Sequence, residues 1–432
     1  MTEESFDFDA IIVGGGIAGT VAAYLLAKEG LEVVLIERGN YPGSKNMTGG
    51  RIYSHSLERI IPNFASDAPV ERKITREKVF MMTEDSSVGL DFYSGRLGKQ
   101  GRNSYSVLRS LFDQWLGEKA ESAGANIITG ICVDSLIVKD GRVCGVVAGE
   151  DEILARVVIL ADGVNSLLAQ KIGLRTEFKP RHMGVGVKEL IELPRSVIED
   201  RFQCEGNEGT ACMFAGSPSD GRVGGGFLYT NQESISLGVV STMNDLVKGQ
   251  KSLPQMMEDF KNHPAVAPLI KGGKLIEYSG HMVPEGGFDM MPEIIGNGVL
   301  VVGDGAGFCI NLGYAIRGMD FAVASAECAA KSVIAASKSG DFSEASLQSY
   351  KKYMEECFVL RDMKQYRKFP HFLEDTPRMF SVYPNMAIDI MSDMFVMDGQ
   401  PAKPLMKKMI THVKKIGFWN LAKDGWKGMK SI

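Results

Sequence analysis

No two of the seven cysteines are spaced as C-x-x-C; Cys132, Cys144, Cys204, Cys212, Cys309, Cys328 and Cys357 are scattered along 432 residues. An odd, scattered set reads as free thiols rather than a disulfide framework. It also excludes an iron–sulfur cluster or structural zinc held by local spacing, so no metal is expected on this chain. No apolar run reaches the roughly 18 residues that suggest a membrane span. The most apolar stretch, Val299 to Ile316, is broken by Asp304 and Asn311. A basic leader is missing too: Glu3, Glu4, Asp7 and Asp9 have the wrong sign for a secretory signal, and the expected compartment is the cytoplasm. With 48 basic and 53 acidic residues the net charge is −5, which argues against nucleic acid as the main partner. No nucleophile, metal box or carboxylate pair calls for hydrolysis. Low-complexity tracts are absent and 44% of residues are apolar, so the chain is globular, with two or three lobes.

Glycine, by contrast, is plentiful, at 49 residues. Phe8 to Val13 reads as a buried parallel strand running into Gly14-Gly15-Gly16-Ile17-Ala18-Gly19, a G-x-G-x-x-G. A helix is expected over Thr20 to Glu29, and a second strand over Glu32 to Ile36, ending at Glu37 and Arg38. Gly14 suits the tight turn, Gly16 lets backbone approach a pyrophosphate, and Gly19 lets helix and strand pack closely. The helix N-terminus attracts the phosphates. Glu37 is placed to accept hydrogen bonds from both hydroxyls of an adenosine ribose, and its charge disfavours a ribose phosphate. This unit leaves NAD and FAD open.

Later segments choose FAD. A strand over Val299 to Val302 runs into Gly303-Asp304-Gly305-Ala306-Gly307, where Asp304 would meet ribityl hydroxyls and a helix would begin close to the cofactor. A long apolar helix is expected from about Gly318 to Ala336. Val157 to Ala161 reads as a strand followed by Asp162 and Gly163. Arg109 opens a helix to about Ser122; it either clamps a phosphate or pairs with Asp113 four residues on.

Together these pieces resemble the flavoprotein fold of aromatic hydroxylases and geranylgeranyl reductases. Lys45-Asn46-Met47-Thr48-Gly49-Gly50-Arg51, Gly186-Val187-Lys188-Glu189-Leu190, Phe214-Ala215-Gly216-Ser217 and His281-Met282-Val283-Pro284-Glu285-Gly286-Gly287 resemble, more narrowly, the electron-transfer flavoprotein–quinone oxidoreductase (FixC) family over essentially the whole chain. The resemblance implies FAD held by Gly14, Gly16, Gly19, Glu37, Arg38, Arg109, Asp162, Gly163, Asp304 and Gly307. It implies that Asn46, Gly49, Gly50, Gly313 and Gly318 lie near the flavin. It also implies electrons arriving from a two-subunit electron-transfer flavoprotein and leaving to quinone or a ferredoxin-like iron–sulfur partner. Such complexes serve anaerobic carnitine or acyl-CoA metabolism, or nitrogen fixation. One departure is plain: mitochondrial-type members carry a cysteine-ligated cluster in their C-terminal part, and no cysteine follows Cys357. A cluster would then sit on another chain. A stand-alone NAD(P)H-dependent flavin reductase or monooxygenase, and a non-catalytic relay subunit, stay open as rivals.

The expected architecture is α/β with an α+β second domain. A Rossmann-like FAD-binding domain occupies 1–180 and 291–340. An antiparallel sheet over 181–290 forms the substrate or quinone side, and 341–432 is a helical C-terminal region. Its end is distinctive: from Pro401 onward there are eight lysines and one acid, Asp424, leaving 40 basic against 52 acidic residues before it. Residues 403–430 interleave lysine with Leu405, Met409, Ile410, Val413, Ile416, Phe418, Trp419 and Trp426. Such a basic amphipathic segment suits either peripheral contact with an anionic membrane or a partner, or packing on the body. No residue is assigned as catalytic; His55, His281 and Glu285 are candidates for proton delivery.

Overall fold

The run Phe8–Val13 forms a strand whose Ala10, Ile11 and Ile12 are fully buried. Each large aliphatic side chain buried this way contributes about 1.5–3 kcal/mol of hydrophobic stabilisation. Because both faces of the strand are covered, it reads as continuous apolar sequence, without alternation. In this computed structural model, which describes residues 6–46, 50–399, 401 and 404–432, it lies at the middle of the first sheet. The order across that sheet is Ile295–Gly296, Val299–Val301, Asp151–Leu160, Phe8–Val13, Val33–Glu37 and Asn126–Thr129. All neighbours are parallel except the short strand at Ile295. An antiparallel hairpin, Val133–Lys139 with Arg142–Ala148, extends from the start of Asp151–Leu160.

The register of this sheet positions the site. Val13 lies opposite Leu160 on one side and Ile36 on the other, and Leu160 lies opposite Val301. Four chains therefore leave the sheet at one level, carrying Gly14, Glu37, Asp162 and Asp304 to the same edge. The connections run to opposite sides of Phe8–Val13, which makes that edge a topological switch point, the place where open α/β sheets bind ligands.

Among the described residues the second sheet has nine strands. Five come from the expected region: Met183–Glu192, Glu208–Gly216, Gly224–Thr230, Ser234–Thr242 and Lys274–Pro284. The other four, Gly50–Tyr53, Val70–Met82, Ser87–Tyr93 and Ser104–Val107, come from within residues 1–180. Glu208–Gly216 pairs with Val70–Met82 in parallel, so the sheet is mixed rather than wholly antiparallel. Phe80 stacks on Phe214 at 5.0 Å across that pairing, and the edge of Phe260 meets Phe214 at the same distance.

The three consecutive glycines at 224–226 owe their presence to close approach. A Cβ on Gly224 would lie 2.1 Å from the Val240 carbonyl oxygen, on Gly225 2.3 Å from that of Phe214, and on Gly226 2.6 Å from the Phe260 ring. The pairing of Gly224–Thr230 with Ser234–Thr242 runs without a register shift, so no bulge is involved.

Met319–Ser339 packs against Ile17–Lys28 and shares the apolar core of the first sheet. Helices follow to the C-terminus, ending in Leu405–Ile416 and Phe418–Ser431. The methionines of this region divide by role. Met354 and Met363 are core, Met379 faces the main cavity, and Met397 is 84% exposed. No helix among the described residues is long and apolar enough to cross a membrane.

Candidate functional site

Between the edge of the first sheet and the face of the second lies a cavity of about 880 Å³. Its floor begins at the first glycine motif. Gly14 has φ +106°, and a Cβ there would lie 2.3 Å from the Ala161 carbonyl oxygen. A Cβ on Gly19 would lie 1.9 Å from the Gly14 carbonyl oxygen, so the helix Ile17–Lys28 sits on the turn as only glycine permits. Gly16 differs: a Cβ there would meet only the Asn46 amide and the Arg109 guanidinium, at 3.8 and 3.9 Å. Gly16 thus faces open space with two donors beyond it, at a helix N-terminus.

Glu37 is buried, and accepts hydrogen bonds from the Gly15 and Gly39 backbone N–H groups, both at 2.6 Å. Two oxygens fixed this way hold the carboxylate at the end of the strand Val33–Glu37. Arg109 forms the pair that its spacing suggested, donating from Nε and Nη2 to Asp113 at 2.8 and 2.7 Å. Asn46 also donates to Asp113. The pair does not remove Arg109 from the site, since Arg109, Asn46 and Arg38 all line the cavity.

Asp162, Gly163 and Asp304 line it too, as do Gly50, Gly313 and Gly318. Burial pushes the Asp162 carboxyl up to about 6 and raises Asp304 as well. Asp162 Oδ1 is a buried acceptor with no partner among the described protein groups. Two expected contributors stand apart. Gly19 acts from behind the turn, and Gly307, with φ +75°, faces Met290 and Met291 instead of the cavity. Gly49 lies outside the described residues.

The expected helix directly after Asp304 is a single 3-10 turn, Gly303–Ala306. The long helix starts only at Met319, after the small hairpin Ile310–Asn311 with Ile316–Arg317. The reason is local: Gly307 takes a left-handed conformation that ends the turn. Sequence reasoning missed the support beneath it, where Arg175 donates to the Gly305 carbonyl at 2.5 Å.

The second sheet supplies the opposite wall. Gly186 lies opposite His281 in register, and Lys188 follows two residues on, pointing to the same face. All three line the cavity. Burial lowers Lys188 to about 7 and His281 to about 4, with Arg109 adding to both shifts. Glu285 is pushed the other way, up to about 7, by burial, and accepts from Asn311 Nδ2 at 3.3 Å. Lys188 stood in the sequence motif but without a role; its burial gave no signal there. His55 falls elsewhere, 3.2 Å from Asp320 and packed on Phe358, and is not among the cavity-lining residues.

Arg109, Lys188 and Arg38 all act electrostatically on His281, so one side of the cavity is basic. A polyanionic group would relieve that repulsion. The glycine cradle at Gly16, the lone Asp162 oxygen and this basic field together fit a dinucleotide with a diphosphate centre. Among the described residues no three His, Cys, Asp or Glu side chains gather as a metal-ligand set.

Three family models match successive parts of the chain. Residues 9–172 match the model for FAD-dependent oxidoreductases, 183–283 the ubiquinone-binding model of electron-transfer flavoprotein–quinone oxidoreductases, and 369–432 the C-terminal domain model of the ETF-QO/FixC family. Over 422 residues, 98% of both chains, the sequence is 58% identical to Protein FixC of Escherichia coli strain K12. The chain belongs to the ETF-QO/FixC family. Another relative is the probable electron transfer flavoprotein-quinone oxidoreductase YdiS of the same strain, 55% identical over 98% of this chain and 99% of that one. Like other members of the family, this protein is an FAD-dependent oxidoreductase. Its fold is shared with a geranylgeranyl bacteriochlorophyll reductase-like protein of Thermoplasma acidophilum (TM-score 0.70, 22% identity, 95% and 98% of the two chains). It is shared also with the myxobacterial halogenase CndH (TM-score 0.67, 15% identity, 95% and 97%).

Proposed function

We propose that this chain accepts electrons from a two-subunit electron-transfer flavoprotein and delivers them to quinone, working with a separate ferredoxin-like iron–sulfur chain in a complex. The observation that carries the reading is the cavity itself. It is lined both by residues of the segment matching FAD-dependent oxidoreductases, Gly16 and Asp162 among them, and by residues of the segment matching a ubiquinone-binding domain, Gly186 and Lys188 among them.

FAD supplies the electron exchange; the chain supplies position, charge and protons. Gly14, Gly16 and the N-terminus of Ile17–Lys28 would hold the diphosphate, with Arg109 and Arg38 beside it. Glu37 would meet the adenosine ribose, while Asp162, Gly163 and Asp304 would meet the ribityl chain. Gly50, Asn46, Gly313 and Gly318 would border the ring, and Gly19 and Gly307 shape the turns behind. On the facing wall, burial brings both Lys188 and Glu285 to about 7, so both exchange a proton near neutral pH and suit charge and proton balance as electrons move through. The absence of any cysteine after Cys357 supports a cluster on another chain. The exposed aromatic and basic side chains of residues 404–430 support peripheral contact with the inner face of the cell membrane.

The test is anaerobic mixing of the FAD-loaded protein with reduced electron-transfer flavoprotein, NADH or NADPH. Bleaching by the flavoprotein alone, reversed by a soluble quinone, is expected. Bleaching by NADPH alone would show a stand-alone reductase. Reoxidation that needs an added ferredoxin-like chain would show that the quinone is not the direct acceptor.

A further inference from the structure

Glu285 stands where two cavities meet. Beside the main cavity lies a small one of about 10 Å³, bounded also by Met363, Tyr366 and Pro370. Glu285, Cys309, Asn311 and Phe369 line both. A volume of roughly 10–15 Å³ holds one water molecule where two or more polar partners bind it. Glu285, Asn311 and Tyr366 supply such groups here. Tyr366 caps the helix Phe358–Gln365 and is half-buried, so it borders both the small cavity and solvent.

The carboxyl is fixed at this junction by its neighbours. Glu285 follows the strand Lys274–Pro284, and its backbone N–H donates to the His182 carbonyl at 2.8 Å. Its side chain lies over the bare backbone of Gly184, where a Cβ would come within 3.0 Å of Glu285 Cγ and 3.2 Å of Oε1. Asn311 Oδ1 accepts from the Gly313 N–H at 2.9 Å, which turns Nδ2 toward Glu285 Oε2 at 3.3 Å.

Of the four residues shared by the cavities, Glu285 alone can take up and release a proton near neutral pH. Phe369 and the Asn311 amide do not titrate, and burial near Asp304, Glu285 and Asp320 holds the Cys309 thiol protonated. Burial brings the Glu285 carboxyl up to about 7. Lys188 also titrates in this range but lines the main cavity alone, so the small cavity cannot refill it directly.

We propose that Glu285 carries protons from solvent into the main cavity and is refilled by a single water molecule held in the small cavity beside Tyr366. The inference rests on the reading of a quinone as electron acceptor. Reduction of a quinone to the quinol takes up two electrons and two protons. A reduced flavin in its anionic form gives both electrons and one proton, so one proton per turnover comes from water. Glu285 gives that proton to a quinone oxygen, breaking its own O–H bond. The carboxylate then takes a proton from the water in the small cavity, and that water recovers one from bulk solvent past Tyr366.

The test uses the FAD-loaded full chain, photoreduced without oxygen and mixed with a soluble short-chain ubiquinone or with ferricenium, which takes an electron and no proton. Glu285→Gln should slow reoxidation by the quinone at least about tenfold and change the ferricenium rate less than about twofold. Tyr366→Phe should give the same pattern with a smaller loss. Independently of turnover, a crystal structure of the chain should show an ordered water between Glu285 and Tyr366. Equal slowing with both acceptors, an unchanged quinone rate in either variant, or a small cavity without water would overturn the proposal. A wild-type protein reoxidised by ferricenium but not by the quinone would instead refute the quinone as acceptor, and this inference with it.

Discussion

At the scale of single residues, burial rather than residue type decides what the site can do. Glu285 illustrates the sign. Its carboxyl is neutral to about pH 7 in the folded chain but ionises near 4.5 once unfolded, so the folded state binds more protons between those values. Its contribution is harmless below about pH 4.5, and stability falls as pH rises through 7. Glu285→Gln should therefore stabilise the protein at pH 8, by no more than about 3 kcal/mol, and change little at pH 4.5. Urea unfolding at the two pH values checks this; equal effects at both would show that the carboxyl is solvated. Gly19 gives the opposite lesson, because geometry there leaves no room for adjustment. A methyl group 1.9 Å from the Gly14 carbonyl oxygen must push helix and strand apart. Gly19→Ala should cost at least about 2–3 kcal/mol and lower the flavin retained after purification. Thermal unfolding and the absorbance ratio of flavin to protein measure both. Gly16→Ala, whose Cβ meets nothing closer than 3.8 Å, should keep the stability and lose flavin.

At the scale of elements, the first sheet was legible because its signals are local. A buried run, a glycine turn, a helix and an acid follow one another within thirty residues, and Phe8–Val13 and the helix at Arg109 fall where the pattern placed them. The second sheet was legible only in part. Four of its strands come from residues 50–107, and their partners are far along the chain, so no local period announces the pairing of Val70–Met82 with Glu208–Gly216. The helix expected after Asp304 failed for a different reason: a glycine-rich run favours tight turns as readily as a helix start, and here the turn prevails. Within the site, Glu37 and Asp162 were visible as acids at strand ends, whereas Lys188 became noticeable only through its burial. Elements also carry their own electrostatic risk. Asp320 has a fully buried side chain and is served by Arg317, which bridges it to Asp362 on the helix Phe358–Gln365. Arg317→Met should strand that carboxylate and cost about 3–5 kcal/mol. Adding Asp320→Asn should recover much of the loss, which a double-mutant cycle by chemical unfolding would read as coupling. Simple additivity of the two would mean that His55, also on Asp320, already compensates the charge.

At the scale of the whole molecule, the charge is divided: the acidic body ends in two basic helices. Those helices are both anchored and exposed. His412 contacts Asp393 at 2.8 Å, and Asp424 accepts from Arg378 at 2.7 and 2.8 Å and from Tyr383 at 2.5 Å. Ile432 reaches the main cavity, so removing the segment would open that cavity as well as remove any outer surface. Deletion is therefore the wrong probe. Phe418, Trp419 and Trp426 are 67%, 82% and 58% exposed, with Met406 and Met429 also outward. The two readings of the segment are thus not exclusive: its acid and histidine pack on the body, while its aromatics face away. Aromatic side chains beside lysines suit the interface of an anionic bilayer, where each buried methylene is worth about 0.8 kcal/mol and each nearby lysine about 1 kcal/mol. Replacing Trp419 and Phe418 together by glutamate should lower sedimentation with vesicles rich in anionic lipid at least tenfold. Flavin content and melting temperature should stay within experimental error of the parent, because neither side chain supports the body. Retained vesicle binding would move the contact to another face, whereas loss of flavin would show that the segment serves the cavity alone.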